Sequence, residues 1–165
     1  MTLLLSAVFI IGLLFALIVF VGPPYLPTMR RQIGTALDLL DLKPGQTLLE
    51  LGSGDGRVAV AAARRGLNVI GIELNPILVV VSRARSWRYR KHVRIIWGSY
   101  FMIDWPPADG IFTFMIQRQM PKLHKKILAW QKTPVRLTSV AFHIPGQKPT
   151  VERSGVFMYE YKKKP

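Results

Sequence analysis

The hydrophobic pattern of the chain changes character twice. From Leu3 to Val21 no residue is charged, and only Ser6 and Gly12 weakly interrupt the apolar run. Nineteen residues at 1.5 Å rise span about 28 Å, close to the roughly 30 Å hydrocarbon core of a bilayer. Residues 1–22 therefore read as a transmembrane helix. A signal peptide would carry basic residues ahead of a shorter apolar core. A buried core helix would show a polar face. No Lys or Arg precedes the run and Arg30 and Arg31 follow it, so the positive-inside rule places the rest of the chain on the cytoplasmic side.

Residues 23–45 form a second regime. Pro23, Pro24 and Pro27 crowd five positions and cannot extend a helix. Thr28 is placed to cap a helix from Met29 to about Leu42, with Ile33, Leu37 and Leu40 on one face. Lys43-Pro44-Gly45-Gln46 is a turn.

From residue 46 to 165 short apolar runs alternate with helical patterns. Strands are expected at Leu48–Leu51, Asn68–Glu73, Val93–Trp97, Asp109–Met115, Val135–Phe142 and Gly155–Tyr161. Helices are expected over about 57–65, 76–90 and 120–130, the second opened by Pro76. Such alternation implies right-handed parallel crossovers: an α/β, Rossmann-like, doubly wound, mostly parallel sheet in one domain.

Composition adds two constraints. There is no cysteine, which excludes disulfides, thiolate metal sites and a cysteine nucleophile; no metal is expected. The net charge is +14, from 23 Lys and Arg against 9 Asp and Glu. That balance favours an anionic partner: nucleic acid, an anionic membrane surface or an acidic substrate.

The chemistry centres on Glu50-Leu51-Gly52-Ser53-Gly54-Asp55-Gly56-Arg57. A buried strand runs into a turn with glycine at every second position. Glycine permits positive φ and lets a ligand approach the backbone. The following helix would aim free N–H groups at that ligand. Glu73, 17 residues past Gly56, ends the second strand, where a carboxylate can accept hydrogen bonds from a ribose diol. Dinucleotide sites favour G-x-G-x-x-G. Here Arg57 stands in place of the last glycine of that pattern, and Glu50 lies two residues before the first. An acid there is awkward for a pyrophosphate. Glu50 and Asp55 suit a cationic ligand such as S-adenosyl-L-methionine, with its ammonium and sulfonium.

At these residues the chain resembles the class I S-adenosylmethionine-dependent methyltransferases. Pro24-Tyr25-Leu26-Pro27, LGSGDGR, Glu73-Leu74-Asn75-Pro76 and Trp87 further resemble a small family of membrane-anchored protein-lysine methyltransferases, including those that modify the c-type ring protein of ATP synthase and the adenine nucleotide translocase. The resemblance implies S-adenosyl-L-methionine held by Glu50, Gly52, Ser53, Gly54, Asp55, Gly56, Glu73, Leu74, Ser99 and Tyr100. It also implies methyl transfer to a lysine of a membrane protein, and Tyr25 bordering the cofactor.

The chain departs from the class in three places. Ser99 stands where an acid often meets the adenine, with Asp104 in the same loop or backbone groups at Tyr100 as alternative substitutes. Pro106-Pro107 precedes the fourth strand, so it is a rigid loop and not the Asn-Pro-Pro-Tyr motif of amino-methylating enzymes. The segment from His143 to Ser154 is too short for the usual extra helix and hairpin, hence a shortened C-terminus. No catalytic base is assigned; His143 is a candidate by position alone. Two other readings stay open. One is an RNA or small-molecule methyltransferase, which the charge favours. The other is a non-catalytic S-adenosylmethionine-binding module.

Overall fold

A computed structural model describes Leu5, Ser6, Phe9, Gly12, residues 27–131 and residues 133–162. Seven strands form one sheet: β1 (Thr47–Leu51), β2 (Asn68–Glu73), β3 (Val93–Trp97), β4 (Gly110–Thr113), β5 (Val135–Val140), β6 (Val151–Arg153) and β7 (Val156–Tyr161). Their order is β3-β2-β1-β4-β5-β7-β6. The first five are parallel, and β7 runs antiparallel between β5 and β6. The expected Rossmann-like, mostly parallel sheet of a class I methyltransferase is thus present.

Among the described residues, four helices cover the sheet: α1 (Arg30–Leu40), α2 (Arg57–Arg64), α3 (Pro76–Arg85) and α4 (Met120–Trp130). One core packs α1, α2 and α3 against alternate residues such as Leu48, Val69 and Phe112. On the other face Leu123 and Ile127 of α4 meet Leu49, Leu51, Ile111 and Leu137. Period-2 alternation along β1 sends Leu49 and Leu51 to one face and Leu48 and Glu50 to the other. Each fully buried Leu or Ile contributes about 1.5–3 kcal/mol. The two apolar faces therefore fix the register and leave Glu50 under α2.

Several expectations need correction. The apolar run 3–21 lies, but for Leu5, Ser6, Phe9 and Gly12, outside the described residues. Among the described residues no helix is long and apolar enough to cross a membrane. The longest, α1 and α4, have 11 residues, about 16 Å, roughly half a hydrocarbon core. The transmembrane helix expected before the domain is therefore not supported. The single-pass anchor and the localisation in a membrane with the domain on its cytoplasmic side rested on it and fall with it. Tyr25 also lies outside the described residues.

The C-terminus is less shortened than expected. Val151–Arg153 pairs with Val156–Tyr161 as a hairpin that completes the sheet, turning at Ser154 and Gly155, both with positive φ. The short strand β6 is exposed throughout, so it carries no hydrophobic signal. Helix α3 stops at Arg85, before a 3-10 turn over Trp87–Tyr89, and not near residue 90. Met29, not Thr28, is the N-cap of α1; Thr28 is buried and its carbonyl accepts from Arg57 Nη1 at 3.3 Å.

Candidate functional site

Strand β1 lies between β2 and β4, so the sheet reverses direction of growth at β1 and β4. Ligands of such sheets bind beyond the carboxyl ends of the strands near that switch point. The glycine loop 52–56 leaves the end of β1 there, and Glu73 ends β2 beside it.

The loop is tightly held. Gly52 and Ser53 donate their N–H groups to the Ile72 carbonyl at 2.9 and 3.1 Å, and Gly56 donates to the Ser53 carbonyl at 2.8 Å. The Gly54 N–H donates to Glu73 Oε2 at 2.8 Å. The other Glu73 oxygen accepts the Asn75 N–H at 2.8 Å. Glu73 thus ties the loop to the start of α3, whose N-cap is Asn75; its Oδ1 accepts from Ile77 and Leu78. Each Glu73 oxygen keeps a further lone pair. Its position at the strand end leaves a ribose diol as a fitting partner.

The glycines differ in purpose. Gly52 has φ +84°, and a Cβ there would meet nothing within 4 Å. It leaves room for a ligand. Gly56 has φ +79°, but its Cβ would meet Ser82 Oγ at 2.5 Å and Ser82 Cα at 3.0 Å. Its role is the close approach of α2 to α3. Gly54 also has positive φ, +53°. Ser53 is buried, its Oγ unpartnered; it fits because β2 carries Gly71, where a Cβ would lie 2.9 Å from Ser53 Cβ.

Three carboxylates, Glu50, Asp55 and Glu73, converge here. Glu50 is 1% exposed and its Oε2 has no hydrogen-bond partner. Burial drives its pKa well above the ordinary range, the negative Glu73 and Asp55 push it further, and only the Ala59 N–H pulls it down. Asp55 is buried too, which alone would raise its pKa. The hydrogen bonds and charges of Arg57 and the charge of Arg85 prevail, and it sits at about 2. Arg57 Nε and Nη2 reach it at 3.0 and 2.9 Å, and Arg85 Nη1 closes the other side. The structure therefore gives Asp55 two arginine partners, where the sequence suggested a ligand cation.

The helix terminus also differs from expectation. The Arg57 N–H donates to Asp55 Oδ1 at 3.2 Å, and the Ala59 N–H serves Glu50. The first turn of α2 is occupied by the protein's own carboxylates and not held open for an external anion.

Leu74 follows Glu73 and is 37% exposed, with its carbonyl accepting from Trp97 Nε1 at 3.0 Å. The Gly98 N–H donates to the Glu73 carbonyl at 2.9 Å, which brings half-buried Ser99 to the same rim. Tyr100 is buried; its hydroxyl donates to Gln119 Oε1 at 2.9 Å. Burial and the Glu73 charge push its pKa up to about 12. Asp104 is exposed further along the loop, and its charge acts on Lys126. His143 is exposed, with its ring 3.7 Å from that of Phe157 and its carbonyl accepting from Gln117. Among the described residues no group of His, Asp and Glu is arranged for a metal ion. Sequence reasoning missed the cap Asn75, though Asn-Pro is a helix-start signal. It also missed Arg85 and Ser82, which only tertiary packing brings to the loop.

The model of the ANTKMT methyltransferase domain matches residues 50–151, from the buried acid of β1 to the start of β6. The chain belongs to this family. The ATP synthase c-subunit lysine N-methyltransferase of Xenopus laevis is 32% identical over 128 residues, covering 76% of this chain and 56% of that protein. The Mus musculus adenine nucleotide translocase lysine N-methyltransferase is 30% identical, with 76% and 56% covered. The chain thus spans little more than half the length of these relatives. Among solved structures, an RNA methyltransferase from Salinibacter ruber, in complex with S-adenosyl-L-homocysteine, superposes with a TM-score of 0.76 at 26% identity. It covers 82% of this chain and 92% of that one. The family resemblance visible in the sequence is borne out.

Proposed function

We propose that this chain is an S-adenosylmethionine-dependent methyltransferase that modifies the side-chain amine of a protein lysine. The observation that carries the proposal is the loop itself: a buried, partnerless Glu50 oxygen, a Glu73 fixed by the Gly54 N–H, and open space where a side chain on Gly52 would stand. That donor set fits a cationic adenosyl ligand. Glu73 would hold the ribose, Glu50 would balance positive charge, and Leu74, Ser99 and Tyr100 would border the adenine. When bound, S-adenosyl-L-methionine supplies a methyl carbon already activated by its sulfonium. The chain's own task is then to align a neutral amine and exclude water. A desolvated lysine ammonium loses its proton readily, so no residue is assigned as a base.

The lysine acceptor rests on the relatives, which are named for lysines of an ATP synthase component and of adenine nucleotide translocase. A membrane protein is accordingly the first acceptor to test. The net charge and the Salinibacter structure support a second reading, an RNA acceptor. Incubating membrane and soluble cell fractions with radiolabelled cofactor decides between them. Label in a protein band that survives nuclease supports the first. Label removed by nuclease supports the second. Binding without transfer would reduce the chain to a cofactor-binding module.

A further inference from the structure

From Leu74 to Ile103 the chain contains no acid, while Arg83, Arg85, Arg88, Arg90, Lys91 and Arg94 all lie there. The same stretch carries more than half of the large exposed hydrophobic side chains found among the described residues. Ile77, Val80 and Val81 project from α3 at i, i+3 and i+4, with Val80 66% exposed. Trp87 and Trp97 are each 64% exposed. Trp97 is pinned by its indole N–H to the Leu74 carbonyl, so its ring is held at the rim beside Glu73. Arg90 lies over the Trp87 ring at 5.1 Å.

The helix geometry arranges these groups. The aliphatic stripe runs along the outer face of α3. Arg83 leaves one flank to cap the Ile95 carbonyl of the edge strand β3 at 2.8 Å. Arg85 leaves the other flank toward Asp55. Arg88, Arg90, Lys91 and Arg94 are exposed beyond it. An apolar centre with an Arg- and Trp-rich border has the composition of a protein interface.

We infer that this face docks an acidic, apolar-ridged surface of the acceptor protein. The inference rests on the protein-lysine reading and deepens it. A lysine is itself cationic, and a chain of net charge +14 repels it. An acceptor must therefore bring carboxylates elsewhere on its surface, and the acid-free stretch is where they are met without repulsion. A second copy of this chain brings the same positive charge and is disfavoured. Nucleic acid would match the charge but leave the β-branched stripe on α3 without a partner. The face begins one residue after Glu73, so an acceptor docked there lies alongside the cofactor crevice.

The test uses the full chain, radiolabelled cofactor, and as acceptor the protein band that the wild type labels, isolated from cell extract. Two variants change exposed residues outside the cofactor site: Val80→Asp, and Arg88→Glu with Arg90→Glu. Each is expected to lower transfer at dilute acceptor at least tenfold, to recover at high acceptor, and to bind S-adenosyl-L-homocysteine as the wild type does. Raised salt should slow the wild type and leave the charge-reversed variant little changed. Variants that transfer like the wild type overturn the docking surface and leave the lysine reading standing. So do variants that lose only binding to phosphatidylglycerol vesicles or to an oligouridylate. A wild type that labels no protein overturns both.

Discussion

Replacing Gly52 and Gly56 by alanine, one at a time, separates the two purposes of the glycine loop. Both residues have positive φ, so each alanine carries a left-handed penalty of about 1–2 kcal/mol. Gly56→Ala carries more. The Ser82 hydroxyl at 2.5 Å can rotate away, but Ser82 Cα at 3.0 Å and its carbonyl oxygen at 3.1 Å are backbone. Moving α2 off α3 by a few tenths of an ångström costs about 1–3 kcal/mol more, as for other overpacked sites. The sum for Gly56→Ala is about 2–5 kcal/mol, or roughly 4–20 °C in Tm at about 2–4 °C per kcal/mol. Gly52→Ala meets no atom within 4 Å, so only the backbone penalty of about 1–2 kcal/mol applies to the ligand-free protein. Its methyl group instead enters the space assigned to the ligand, and S-adenosyl-L-homocysteine affinity should fall at least tenfold. Thermal melts without ligand and calorimetric titration measure the two effects. Adding Ser82→Ala to Gly56→Ala should recover little, because the backbone contacts stay. Equal loss of Tm in the two single variants, or a Gly56→Ala protein as stable as the wild type, would refute the division of roles.

Other consequences can be checked separately. Glu73→Ala removes the acceptor of the Gly54 and Asn75 N–H groups and the proposed ribose anchor; charged hydrogen bonds at about 1.5–3 kcal/mol each predict at least a tenfold weaker cofactor, measured by titration. Unchanged affinity would remove Glu73 from the site. Asp55, depressed to about 2 in the fold, contributes stability that is present above its ordinary value of 3.8 and lost as pH falls through about 2. Asp55→Asn should flatten the acid limb of a pH–Tm curve and lower Tm at pH 7. Glu50 behaves oppositely: its raised pKa means stability complete below pH 4.5 and lost as pH rises through the folded value. Glu50→Gln should therefore raise the Tm of the ligand-free protein at alkaline pH while weakening cofactor binding, and a simultaneous gain in both would contradict the assignment.

Much of the frame was legible because it depends on local pattern. Strands β1 and β2 are apolar runs with turn signals at both ends, and their ends carry Glu50 and Glu73. Gly52, Gly54 and Gly56 stood out by spacing, but spacing could not tell ligand room from helix packing. That distinction depends on Ser82, 26 residues away in sequence and brought near only by the crossing of α2 and α3. The partners of Asp55 are hidden for the same reason: Arg57 is visible at two residues' distance, whereas Arg85 arrives from the far end of another helix. Strand β6 left no apolar trace because all three of its residues face solvent. The apolar run at the N-terminus, the strongest periodicity-free signal in the chain, found no spanning helix among the described residues.

The occupancy of the loop's N–H groups argues against an anionic ligand more strongly than its glycine spacing does. A phosphate cradle needs unpaired amides at a helix N-terminus. Here the amides of Gly52 and Ser53 bind the Ile72 carbonyl, Gly54 binds Glu73, Gly56 binds Ser53, Arg57 binds Asp55 and Ala59 serves Glu50. Carboxylates already take the amides of Gly54, Arg57 and Ala59. A phosphate would have to displace them and face the Glu73 charge at short range. A ligand with hydroxyls and positive charge needs no such displacement: under the proposed function it would use the remaining lone pairs of Glu73 and relieve the unpaired oxygen of Glu50. Relief of Glu50 also predicts a direction for binding. A cation held beside it lowers its pKa, so cofactor affinity should rise with pH as Glu50 ionises, and Glu50→Gln should abolish that slope. A cofactor affinity that falls across the same range in the wild type would place the ligand's charge away from Glu50.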